Sequence, residues 1–242
     1  MELNLGKQKA EILLSEEEQV SPAVEKTEPE TIFIACAALG REVKNIIRKH
    51  SWNADFQAID ARLHLYPRKI APAVEQRLKN LDEKYQRKIV VYGHCGAMDL
   101  DSILEKYGAV RPLGPHCYEM YGAEAFAEAV REEPGTFILT DYLIHAWDTF
   151  VVRGLKIDKH PQLKDLMFTH YKRIIYFSQE EDQEMVAKAQ EIADWLDLLL
   201  EVRHVEYGDL ERRLVAIMED REQPTAGMTL DGYSAGVYPV AG

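Results

Sequence analysis

The chain has 242 residues, 46% of them apolar and 29% charged, which is the balance of a globular protein able to bury a core without disulfide support. Its 41 acidic residues outnumber 29 basic ones for a net charge of −12, so a nucleic-acid groove or a contact with an anionic membrane would have to be built against the overall field. Three cysteines, Cys36, Cys95 and Cys117, are odd in number and too few for a disulfide framework.

Residues 1–30, rich in Glu, Lys, Ser and Pro, read as a flexible acidic N-terminal arm. The opening "MELNLGKQKAEILLSEEEQV" has no basic region followed by an apolar core, and no stretch approaches the ~20 apolar residues that span a bilayer, so a cytoplasmic protein is expected. An α/β domain is expected over residues 31–220. "TIFIACAALG" is a buried strand running into a helix on which Val43, Ile46 and Ile47 fall at helical intervals. "ADFQAI" is a second strand, with a loop and then a helix beginning between Pro67 and Ala71. "RKIVVYGHCG" is a strong strand; its helix follows in "MDLDSILEKYG", with Asp99 or Asp101 as cap and Gly108 at the C-terminal stop.

"AVRPLGPHC" reads as the next strand and turn, and "YEMYGAEAFAEAVREEPG" as one helix. "TFILTDYLIHAWDTFVV" begins as a strand and continues as a helix. After it come strand "RIIYF", a long helix, strand "LEVRHVEY" and a last helix capped by Asp209. Residues 221–242 read as an irregular tail. Strands alternating with helices predict an α/β fold with a mostly parallel sheet and helices on both faces, and no linker marks a second domain.

In such a fold Cys36, Cys95 and Cys117, each just past a strand, would share the carboxyl-end rim where ligands bind. Thiols at the starts of helices would be acidified by free N–H groups and would favour a metal. Three such ligands leave an open position, either on an iron–sulfur cluster or on zinc. With no tight C-x-x-C pair, ordinary buried thiols remain the alternative. His94 and His116, each beside a cysteine, are candidates for a fourth position, or turn histidines.

"IDARLHLYPR" places His64 and Arg68 at a strand's carboxyl end, where they would bind an anionic ligand or cofactor, the alternative being a solvated loop before a proline-led helix. Tyr142, His145 and Thr149 share one side of a helix, which an amphipathic polar face accounts for. Gly-rich phosphate loops, a Gly-x-Ser-x-Gly elbow and the corrinoid-binding Asp-x-His-x-x-Gly pattern are missing from the sequence.

The stretches "IACAALGREV", "LHLYPRKIAPAVEQRL", "VVYGHCG", "PLGPHCYEMYG" and "EEPGTFILTDYLIHAW" resemble the domain of unknown function 1638 family, found in methanogens, other anaerobes and some proteobacteria. The resemblance runs from about Ile32 to Met218. The family pattern, a cysteine after the first strand, a Tyr-Gly-x-Cys turn and a Pro-x-x-His-Asp-Cys turn, selects Cys36, Cys95 and Cys117, with Tyr92, Gly93 and Gly96 framing the middle turn. Here Pro115 and His116 stand where the family has histidine and aspartate, so the resemblance implies chemistry carried by the thiols. Members are often encoded beside corrinoid-dependent methyltransferases, which implies service to one-carbon metabolism with a methyltransferase or corrinoid protein as partner. The expectation is a metalloprotein holding an iron–sulfur cluster with an open coordination position. The alternatives are a zinc-thiolate protein activating a thiol for methyl transfer, or a non-catalytic accessory protein.

Overall fold

The computed structural model describes residues 28–222, apart from 82 and 115; the expected arm and tail therefore lie almost wholly outside the described residues. Strands alternate with helices as the sequence predicts, and every strand pair is parallel, but the strands form two sheets. In the first, β1 (Thr31–Cys36), β2 (Ala54–Ile59), β3 (Arg87–Val91) and β4 (Ala109–Val110) stand in the order β2-β1-β3-β4. In the second, β5 (Thr136–Thr140), β6 (Arg173–Ser178) and β7 (Leu199–His204) stand in the order β5-β6-β7. The division falls after β4, whose two paired residues are too short an edge to carry another strand.

Alternate side chains of each strand supply two cores, so helices cover both faces of each sheet. Ile32, Ile34 and Cys36 of β1 pack with α2 (Ile70–Lys79) and α3 (Leu100–Lys106) through Val74, Leu78, Leu100 and Leu104. Phe33 and Ala35 face the other way, onto Val43 and Ile46 of α1 (Gly40–Lys49) and Leu210 and Leu214 of α9 (Gly208–Met218). In the second sheet, Ile174 and Tyr176 meet α8 (Gln183–Leu196), while Ile175 and Phe177 meet α5 (Ala123–Glu132). The last helix, α9, thus returns to the first sheet, and Arg87 at the start of β3 donates to the Met218 carbonyl at its end, 2.6 Å away.

Three local expectations change. The helix expected across residues 118–135 is two, α4 (Cys117–Tyr121) and α5, parted at Gly122, whose backbone is extended. Asp209 does not cap its own helix; its carboxylate accepts the Ala123 N–H at 2.7 Å and so caps α5 from α9. After β5, the short α6 (Asp141–His145) gives way to a π-helical turn at Asp148–Val152, and α7 (Gln162–Phe168), which the sequence reading did not separate, precedes β6. Among the described residues, no helix is long and apolar enough to cross a membrane.

A thiol-lined cavity as the candidate functional site

In the order β2-β1-β3-β4 the chain leaves β1 to one side and returns on the other, so the switch point lies between β1 and β3. Cys36 is the last residue of β1. The register Ala35↔Val91 brings the following pair, Cys36 and Tyr92, side by side on the face covered by α2 and α3. Cys36 is 8% exposed and Tyr92 2%.

The turn after β3 is shaped by close backbone approach. A Cβ on Gly93 would stand 2.5 Å from the His116 Cα, so a glycine there lets the turn and the segment before α4 touch. Cys95 has φ +44, a left-handed conformation that costs a non-glycine residue about 1 kcal/mol or more. It lies five residues before α3 rather than at a helix start, which corrects the sequence expectation. Cys117 does open a helix, α4, and the Cys117 N–H donates to the Cys95 sulfur.

The helix carrying Cys117 is fixed from α9. Arg213, fully buried, makes a bidentate ion pair with Glu119 at 2.7 and 2.8 Å and also donates to the Leu113 carbonyl. Across the cavity Arg41 of α1 pairs with Asp141 of α6, which also accepts the Tyr176 hydroxyl at 2.7 Å. This strut ties the segment after β1 to the segment after β5.

Cys36, Cys95 and Cys117 line one cavity of about 60 Å³, together with Tyr92, Tyr121, His64 and the backbone of Gly93; Thr140, Tyr142, Leu143 and Phe150 close it from the second sheet. Among the described residues, no Asp, Glu, Lys or Arg lines it. Burial pushes the Cys36 thiol up, and the Cys95 thiol up to about 12, outweighing the N–H bonds that each sulfur accepts from Ala38 and Cys117 respectively. Cys36 and Cys95, expected to be acidified, are therefore held neutral: desolvation exceeds the pull of the N–H groups. Burial also raises the Tyr92 phenol, aided by the three neighbouring cysteines. Burial lowers His116 to about 4, with His64 nearby adding to the shift. His64 is lowered by desolvation too, moderated by its exposure to solvent.

The predicted residues are thus only partly brought together. The three cysteines and His64 line the cavity; Arg68 is exposed in a 3₁₀ turn, Pro67–Lys69, and does not. His94 and His116 flank the cavity without lining it, His116 resting edge-on against Phe126 with ring centroids 4.9 Å apart. Among the described residues, no group of three His, Cys, Asp or Glu side chains is spaced to hold a metal ion. Sequence reasoning missed Thr140, Leu143 and Phe150 and set Tyr142 aside as part of a polar helix face, because helical spacing beyond β5 says nothing of which sheet the helix faces. Only the position of Thr140 at the end of β5 and of Tyr142 just past it hinted at them.

Fold and cavity together define an α/β protein of two parallel sheets with an uncharged, thiol-lined pocket beside a switch point. The chain belongs to the family described as protein of unknown function (DUF1638), whose model matches residues 58–214. Cys95 and Cys117 fall inside the matched region and Cys36 before it. No curated protein and no solved structure matches the chain.

Proposed function

We propose that the protein is a cytosolic metalloprotein in which Cys36, Cys95 and Cys117, on the carboxyl-end rim of the first sheet, bind a sulfur-seeking metal centre, an iron–sulfur cluster with one open coordination position. The observation that carries this reading is the convergence of three thiols from three separate segments on one cavity with no charged wall. The donor chemistry fits: neutral buried thiols and a poorly basic imidazole suit a soft metal, whose charge would expel the thiol protons that burial alone retains. The spacing of the described side chains is not that of a bound metal. Ligation therefore requires the Cys95 turn and the five-residue α4 to draw inward. A role in corrinoid-linked methyl transfer rests on the family resemblance alone.

Zinc on the same thiols, with His64 as fourth ligand, is distinguished by its lack of colour. The burial that holds Cys36 and Cys95 neutral also favours a second reading, inert core thiols in a non-catalytic accessory protein that binds a methyltransferase or corrinoid protein. The test is the visible spectrum of anaerobically purified protein beside the Cys36→Ser, Cys95→Ser and Cys117→Ser variants. Broad absorption bleached in all three variants supports the cluster, whereas a colourless wild type that folds normally contradicts it.

A further inference from the structure

The Tyr92 hydroxyl is buried in the cavity wall and reaches towards the Cys36 thiol, yet it makes no hydrogen bond of ordinary geometry. A buried hydroxyl left unsatisfied is costly, by about 1–3 kcal/mol, unless something else accepts from it. Among the described residues no Asp, Glu, Lys or Arg lines the cavity: apart from the His64 imidazole and the Thr140 hydroxyl the lining is thiol, aromatic and aliphatic, and Arg111, which acts on Cys95 from outside the lining, is paired with Asp101 at 2.6 Å. Space of about 60 Å³ admits a molecule of a few heavy atoms.

We infer that the cavity binds a small uncharged molecule with one hydrogen-bond acceptor and an apolar body, the acceptor taking the Tyr92 O–H and the body lying against Tyr142, Leu143 and Phe150. An anion is disfavoured in either state of the thiols. With the thiols neutral it would be desolvated against a wall that carries no Lys or Arg among the described residues. With three thiolates on a divalent metal the site would already carry a net negative charge. The inference shares the cavity with the proposed function but does not require a metal there.

The experiment compares acetamide with acetate, nearly equal in shape and different in charge, binding to the purified full chain by protein-observed NMR, with metal content measured on the same sample. Acetamide is expected to shift resonances of Tyr92, Tyr142 and Phe150 with saturable binding, and acetate to leave them unmoved. Tyr92→Phe should weaken acetamide roughly fivefold, the loss of one neutral hydrogen bond, while leaving xenon uptake by the cavity unchanged, which a merely structural effect of the substitution would alter. Acetate binding as well as acetamide, absence of binding by either probe, or a Tyr92→Phe variant that binds acetamide as the wild type does would overturn the inference. The metal measured alongside reports separately on the proposed function.

Discussion

At the scale of single residues, the clearest statements concern groups held where their chemistry is unfavourable. Cys95 sits at φ +44 in a turn that glycine would occupy without strain. Cys95→Gly is therefore expected to be more stable than Cys95→Ala by about 1 kcal/mol in thermal or urea unfolding of the metal-free protein; equal stabilities would remove the strain from the account. Glu42, 2% exposed, has its carboxyl raised by burial against the partial compensation of its own N–H and of Arg41. Its folded form thus holds the proton more tightly than the unfolded chain does. Its contribution to stability is full below the ordinary carboxylate range and is lost as pH rises through the raised value. Glu42→Gln should accordingly raise the melting temperature at pH 7 and change it little at pH 4, whereas an equal shift at both pH values would show that the carboxylate is not strained.

At the scale of elements, α9 acts as a clamp on the segment that bears Cys117. Arg213 and Glu119 form an ion pair removed from water, and truncating one partner strands the other. Arg213→Ala is expected to cost about 3–5 kcal/mol in chemical denaturation, and the double replacement Arg213→Met, Glu119→Leu distinctly less. A double variant as unstable as the single one would mean that packing, not the stranded charge, sets the cost. The turn at Gly93 has the same positioning role for Cys95. Gly93→Ala would drive a Cβ into the His116 backbone and is expected to destabilise by about 1–3 kcal/mol, with loss of the contact read as exchange broadening of residues 93–96 and 116 by NMR.

At the scale of the whole molecule, the two sheets are interdependent because α9, which follows the second sheet in the chain, packs on the first. Leu210, Leu214 and Ile217 of α9 cover Phe33 and Ala35 of β1. Burying three such side chains contributes roughly 5–9 kcal/mol, comparable with the entire stability of a typical domain. A chain ending at Glu206 is expected to lose the cooperative unfolding transition seen by circular dichroism; a folded truncated form would show that the sheets stand independently.

Much of this architecture was legible, because β1, β3 and β6 are largely apolar runs that only buried parallel strands explain, and helices separate them in the sequence. The division into two sheets was not legible, since it turns on β4 pairing over two residues, and periodicity cannot measure an edge. The second wall of the cavity was hidden for the same reason: Tyr142 and Phe150 reach the thiols only through the relation of one sheet to the other. The polarity of the thiols was misjudged from sequence, where the N–H groups near a strand end can be anticipated but the burial that outweighs them cannot.

The most direct measurement is the iron, zinc and acid-labile sulfide content of protein purified without oxygen, in the wild type and in the Cys36→Ser, Cys95→Ser and Cys117→Ser variants. Iron and sulfide in equal amounts, lost together from every variant, is the predicted result. A folded wild type free of iron, zinc and sulfide would contradict a metal centre at the three thiols.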